Sequence, residues 1–183
     1  MRENDEEMAS MDKWDSRFME MAWVIAGWTS CYVKGRSIGC VIVKDKRIMT
    51  TGYNGAPAGI KTCRERGECM RRRLGIPSGT RAEVCYAIHA EQNAIIQAAK
   101  LGVSIDGGTL YCTHQPCSVC AKMIINAGIR RIVYQEGYPD PFALELIEEA
   151  DILLERFDPA TAPSTETPIR GKEEASSAQD ASR

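Results

Sequence analysis

The sequence contains no run of 18 consecutive apolar residues, so no membrane-spanning helix is expected. Its most apolar N-terminal stretch, residues 21–27, follows acidic residues and lacks both a basic leader and a small-residue cleavage pattern. That stretch reads as helix core and not as a secretory signal, which makes the cytoplasm the expected location. Basic residues are not in excess: 23 Lys and Arg meet 25 Asp and Glu, the net charge is -2 and the pI is near 5.8. An extended nucleic-acid footprint is thereby disfavoured, although a local basic patch is not. No internal repeat is apparent, and beyond Asp158 large apolar residues almost disappear. Residues 159–183, rich in Pro, Thr, Ser and Glu, read as a disordered tail, and the acidic residues 1–11 as a flexible N-terminus.

What is present is an ordinary globular composition with one anomaly. The 183 residues, 44% apolar and 26% charged, suffice for a single sizeable core. The anomaly is eight cysteines. Without a secretory signal a disulfide scaffold is disfavoured. Metal ligation accounts for the cysteines better in a reducing compartment.

Periodicity lays out one domain over 12–158. Trp14, Phe18, Met21, Ala22, Ile25 and Ala26 recur at helical spacing and predict a core-facing helix over about 12–30. Two apolar runs, 38–43 and 48–53, flank the polar residues 44–47 and predict a β-hairpin. Asn54-Gly55 and Ala56-Pro57 mark a tight loop. Residues 60–84 form an irregular, charged insert carrying Cys63, Cys69 and Arg71-Arg72-Arg73. Such a long connection is functional or separately stapled; the arginines are candidates for phosphate attraction or subunit contacts, or form a solvated charge run. Helices are expected over 85–100, 118–126 and 141–149, and strands over 109–113, 130–134 and 152–157. Strands alternating with helices predict an α/β fold whose sheet is covered on both faces.

The chemistry is concentrated in His89-Ala90-Glu91 and Pro116-Cys117-Ser118-Val119-Cys120. A catalytic zinc commonly takes three protein ligands and keeps one position open. His89, Cys117 and Cys120 supply three, with both thiols at the first turn of a helix, where free N–H groups favour thiolates. Pro116 suits the entrance of that helix. Glu91, two residues after His89, does not share its helical face and is free to act on protons. Zinc would lower the pKa of a water to give hydroxide. Glu91 would carry the proton to a ring nitrogen and then to departing ammonia, the pattern of zinc nucleobase deaminases. A structural zinc knuckle or a redox Cys-x-x-Cys would leave Glu91 without a task.

Beyond these motifs, the runs Gly39-Cys40-Val41-Ile42-Val43-Lys44-Asp45, Thr51-Gly52-Tyr53-Asn54-Gly55-Ala56-Pro57, His89 to Ile95 and Thr113-His114-Gln115-Pro116-Cys117 closely resemble the deoxycytidylate (dCMP) deaminases of bacteria, archaea and phages. A bacterial competence-operon protein is a near relative in that family. The resemblance covers roughly residues 12–140. It implies a three-layer α/β/α sandwich of the cytidine deaminase type, with a central mixed sheet of about five strands. It also implies hydrolysis of dCMP to dUMP and ammonia, feeding thymidylate synthesis. Assembly as a homohexamer is implied too, as are activation by dCTP with Mg2+ and inhibition by dTTP. It places Asn54 at the deoxyribose of the substrate or at a regulatory nucleotide, Tyr138 beside the pyrimidine and Lys100 at an allosteric nucleotide position; His114, just before Gln115-Pro116-Cys117, either lines the substrate pocket or packs behind it. Physically, Asn54 can both donate and accept near a sugar, and Lys100 also suits a helix C-terminus. Alternatives are a deaminase of another cytosine nucleoside or nucleotide, a tRNA adenosine deaminase, or a zinc-stabilised interaction module. The acidic composition weighs against the RNA enzyme.

Cys40 and Cys112 read as strand-buried core. That leaves Cys31, Cys63, Cys69 and Cys85, four thiols able to close a tetrahedral structural zinc site. Cys85 would open the helix carrying His89, so this zinc would staple the insert to the active-site helix. Water, a histidine or another subunit could replace Cys31 in the shell.

Overall fold

Asp12 starts the first helix in the computed structural model, which describes residues 11–77, 80–137 and 140–163. Its carboxylate accepts from the Trp14 and Asp15 amides at 2.7 and 3.0 Å, and Asp15 accepts in return from the Asp12 amide at 2.9 Å. This reciprocal cap launches α1, Lys13–Ala26. Phe18, Ala22 and Ile25 face inward, which leaves Met21, expected in the core, on the flank and exposed. The helix also stops short of residue 30.

Strands β1, Gly39–Lys44, and β2, Arg47–Tyr53, form the expected hairpin. Asp45 and Lys46 turn it with φ of 50° and 58°, the left-handed pair that matches strand twist. The insert folds into two four-residue helices, α2, Cys63–Arg66, and α3, Met70–Arg73, followed by a 3-10 turn at Ala82–Val84. The catalytic-motif helix α4 spans Ala90–Leu101. It does not begin at Cys85 as expected. Ile88 instead bridges Gly55 through both backbone groups, at 2.9 and 3.3 Å, so residues before His89 are held extended. Cys85 therefore precedes the helix rather than opening it.

Strand β3, Thr109–His114, runs antiparallel to β1; α5, Ser118–Asn126, leads to β4, Arg131–Glu136, and α6, Pro141–Glu149, to β5, Leu153–Arg156. β4 and β5 are parallel to their neighbours, giving a mixed sheet in the order β2-β1-β3-β4-β5. Side chains alternate across it with period two. Cys40, Ile42, Leu110, Cys112 and Ile132 point to α4, α5 and α6, while Val41, Val43, Tyr111 and Val133 point to α1. The result is three layers, α/β/α. Residues 159–163, expected to begin the tail, fold back on α1, where Ser16 Oγ donates to the Pro163 carbonyl at 2.8 Å. The rest of the expected tail and residues 1–10 lie outside the described residues. Among the described residues no helix is long and apolar enough to cross a membrane.

Two glycines set the layer spacing. A Cβ on Gly39 would meet the Ala22 carbonyl at 2.0 Å, and one on Gly52 the Ala90 carbonyl at 2.1 Å. Helix α1 thus lies backbone-close on β1, and α4 on β2. The small residues Ala90, Ala94 and Ala98, all buried along one face of α4, complete that approach.

A polar knot closes the far end of the sheet. Buried Asp15 accepts from Arg131 through both oxygens, at 2.6 and 3.1 Å, and from the Tyr111 hydroxyl at 2.7 Å. Arg131 also pairs with Glu155. Burial alone would raise the Asp15 pKa, but the bonds from Arg131, the Asp12 amide and Tyr111 outweigh it and hold the carboxyl below its ordinary value. Because the folded value is depressed, the unfolded chain binds more protons in acid, and this stabilisation is lost as pH falls below about 4. Asp15→Ala should cost about 3 kcal/mol in urea unfolding at neutral pH, the low end for a broken buried pair because Glu155 remains on Arg131. The deficit should shrink on acidification; a pH-independent deficit would show that Asp15 acts through packing alone.

Candidate metal centre

Two helix starts meet at one point. His89 is the N-cap residue of α4 and Cys117 that of α5, and Cys120 lies one turn into α5. The His89 position is fixed by Gln92, whose side chain accepts from the His89 amide at 2.9 Å. On the other helix, the Ser118 amide donates to Asp140 at 2.8 Å, which ties the start of α5 to the cap of α6. The Gly52 contact holds α4 against the sheet directly behind Ala90.

The ligand atoms of His89, Cys117 and Cys120 all lie within 4.8 Å of one another, and no other group so disposed occurs among the described residues. His89 Nδ1 is 3.5 Å from the Cys117 sulfur and 3.3 Å from that of Cys120. Tetrahedral zinc with ordinary Zn–S and Zn–N bonds separates such atoms by about 3.5 Å. The Cys117 thiol is pulled down to about 4, first by the hydrogen bond from Cys120 and further by His89. Cys120 is pushed up by its bond to Cys117 and by burial, as expected when two thiols share one negative charge before a cation is bound. Spacing, donor type and a ready thiolate all fit zinc, with three protein ligands and a fourth position open.

Glu91 is 4% exposed and lies beside this set without joining it. Burial pushes its carboxyl up, while the nearby His89 charge and a bond with Cys120 draw it down, for a net rise. Beneath it, Cys40 and Cys112 face each other across β1 and β3 and are fully buried. Burial raises the Cys40 thiol; the bond to Cys40 and burial raise that of Cys112. They remain neutral core thiols.

The other expected site residues are placed unevenly. The Asn54 side chain is buried and used locally: Oδ1 accepts from the Ile38 amide at 2.9 Å and Nδ2 donates to the Arg36 carbonyl at 2.7 Å. One N–H and one lone pair remain for a ligand. His114 sits beside the ligand loop with its ring 6.4 Å from that of Trp23. Thr113 Oγ1 accepts from the Gly39 amide and is hydrogen-bonded to His114 Nδ1 at 3.1 Å. His114 Nε2 faces Glu136 at 3.8 Å. Burial lowers the His114 pKa. Lys100 is exposed in the last turn of α4, and Tyr138 lies outside the described residues.

Cys63 is buried, and after burial the next influences raising its pKa are Cys85, Cys31 and Cys69, in that order. Cys31, Cys69 and Cys85 are thus near enough to influence Cys63 electrostatically, but among the described residues only His89, Cys117 and Cys120 bring their ligand atoms together as a metal would need. Arg64 Nε reaches the Cys31 carbonyl at 3.4 Å and links the insert to the end of the first helix segment. Sequence reasoning missed the part played by Gly52, which is legible only as one residue of a family motif.

Comparisons agree with this geometry. The sequence profile of the family described as the cytidine and deoxycytidylate deaminase zinc-binding region matches residues 12–136. The chain is 37% identical over 147 residues to the deoxycytidylate deaminase of Schizosaccharomyces pombe, covering 80% of this chain and 44% of that protein. It is 38% identical over 146 residues to ComE operon protein 2 of Bacillus subtilis, covering 79% and 71%. It thus spans less than half of the fission-yeast relative and most of the bacterial one. Among solved structures, the dCMP deaminase of cyanophage S-TIM5 in complex with dCMP and dUMP aligns with a TM-score of 0.62 at 28% identity, covering 78% of this chain and 95% of that one.

Cys120→Ala should weaken zinc retention at this centre by at least about tenfold in competition with a chromophoric chelator. Gly52→Ala, which touches no ligand, should also lower zinc retention and cost at least about 1–3 kcal/mol of stability through overpacking. Unchanged zinc retention in Gly52→Ala would show that α4 is positioned by other contacts.

Proposed function

The chain belongs to the cytidine and deoxycytidylate deaminase family, and on that premise we propose that it hydrolyses dCMP to dUMP and ammonia. The observation that carries this is the buried Glu91 carboxyl beside, but outside, the three-ligand set of His89, Cys117 and Cys120. The kinship with deoxycytidylate deaminases, and with a structure holding dCMP and dUMP, supports the choice of substrate.

His89, Cys117 and Cys120 would hold the zinc, which would supply a Lewis acid able to lower the pKa of a water toward neutrality. The chain supplies the proton traffic. Glu91 takes a proton from the attacking water and passes it to the pyrimidine N3. It then takes the proton of the hydroxyl now on C4 and delivers it to the exocyclic nitrogen as the C4–N bond breaks, C4=O forms and ammonia leaves. Its burial serves both tasks, since a carboxyl with a raised pKa holds a proton readily and water is kept from competing.

The finer assignments follow the same family likeness. The catalytic unit is the domain over 12–158 with its insert at 60–84. Asn54, His114 and Tyr138 contact the substrate, and Lys100 serves an effector nucleotide. A second, structural zinc takes Cys31, Cys63, Cys69 and Cys85; the electrostatic influence of the other three thiols on buried Cys63 supports it. Assembly as a homohexamer in the cytoplasm, activation by dCTP with Mg2+ and inhibition by dTTP complete the proposal.

Purified protein should release ammonia from dCMP faster than from CMP, deoxycytidine or dCTP. Absence of turnover on all four in zinc-loaded protein would sink the assignment. Glu91→Gln should keep its catalytic zinc and lose about 10²- to 10⁴-fold in kcat. Metal analysis should find a second equivalent of zinc that disappears in Cys63→Ser; a single equivalent in wild type would remove the structural site.

A further inference from the structure

The loop after β2 is bonded, one backbone group after another, to three other parts of the chain. The Asn54 amide donates to the Ile38 carbonyl at 3.1 Å. The Asn54 carbonyl accepts from Thr29 Oγ1 at 2.9 Å. Gly55 exchanges both its backbone groups with Ile88, and the Ala56 amide donates to Ser30 Oγ at 3.2 Å. Ile88 is the residue before the ligand His89, so this loop is fastened to the entrance of the metal centre. A Cβ on Gly55 would come within 2.9 Å of Ser30 Oγ, so the glycine lets the end of α1 approach.

Thr29 has a particular place in this set. It is buried, and its amide donates to the Ala26 carbonyl at 3.1 Å, which carries it on the last turn of α1. Its hydroxyl oxygen accepts from the Cys31 amide at 3.2 Å. A carbonyl can only accept, so the hydroxyl proton goes to Asn54. The peptide joining Asn54 to Gly55 is thereby held at both poles, its carbonyl by Thr29 and its N–H by Ile88 at 3.3 Å. Without the hydroxyl, a buried carbonyl would lack its donor and the peptide plane would turn in search of another. Asn54 would turn with it.

We propose that Thr29 is a positioning residue for substrate binding: its hydroxyl fixes the Asn54–Gly55 peptide, and so sets the remaining N–H and lone pair of Asn54 at a defined place relative to His89. This rests on the dCMP-deaminase function and the Asn54 contact proposed above. Thr29 touches no substrate atom and acts through Asn54. The rigid end of α1, on the opposite face of the sheet from α4, would then take part in holding the substrate.

The test compares zinc-loaded wild type, T29V and T29S by KM and kcat on dCMP, calorimetric binding of dUMP and zinc content. T29V keeps the shape and loses both hydroxyl bonds; T29S keeps both. T29V should raise KM and weaken dUMP binding by about tenfold, with zinc retained and kcat changed by less than about twofold. T29S should restore wild-type values. A fall in kcat with KM unchanged, or a loss of zinc in T29V, would mark Thr29 as merely structural and overturn the proposal. Unaltered KM and dUMP affinity, or a T29S variant as impaired as T29V, would overturn it too. If T29V does not fold, T29C, whose thiol is a weak donor, decides alone: a raised KM with kcat kept supports the role, and its absence removes it. Wild type that binds zinc but fails to deaminate dCMP strikes the proposed function itself, whereas turnover with a KM that T29V leaves intact strikes only Thr29.

Discussion

The backbone-to-backbone contact between α4 and β2 is the constraint on which the rest depends. Gly52 presents no side chain to Ala90 and Ala94, so the helix lies on the sheet at a distance that any Cβ would forbid. That distance sets where His89 and Glu91 stand. His89 is the cap of the helix and Glu91 its second residue, so neither can be adjusted without moving α4 itself. The other half of the site comes from α5, entered through the short turn after β3. Since β3 lies two strands from β2, in the order β2-β1-β3, the sheet is the ruler that fixes the gap between the two ligand-bearing helix starts.

The same contact explains how the centre reconciles opposing electrical demands. Thiolates need positive potential, which two converging helix N-termini provide. The proton carrier proposed at Glu91 needs a dry environment, which the core face of α4 provides. Glu91 sits where these meet, over the neutral thiols Cys40 and Cys112 and against Cys120. Turning Glu91 outward would expose it to water, and placing it on the His89 face would make it a ligand. The one-residue gap of His-Ala-Glu at a helix start allows neither.

Much of this was legible in the residues. The hairpin, the helices at 118–126 and 141–149 and the α/β layering follow from period-two and helical patterns that tertiary contacts reinforce. The His89–Cys117–Cys120 set was legible because ligand chemistry demands particular residue types at short spacing. The start of α4 was not, because residues 85–88 are compatible with helix until Gly55 claims both backbone groups of Ile88. Met21 has core chemistry but lies on the flank of α1, a matter of a fraction of a helical turn. The Asp15–Tyr111–Arg131 knot joins residues from α1, β3 and β4 whose separate sequence contexts carry no sign of one another.

The sequence by itself determined the metal-binding chemistry, the family and the order of the elements, because donor types, motif spacing and hydrophobic period are local properties. Tertiary structure alone decided which polar groups meet and which backbones touch. The contact of Gly52 with α4 joins residues some forty positions apart, a number that matters only once the chain is folded. The bond from the Thr29 hydroxyl to the Asn54 carbonyl likewise depends on who stands nearby in space. Both follow from one physical fact: proximity across a folded sheet is not encoded at any single position but arises when distant segments are packed together.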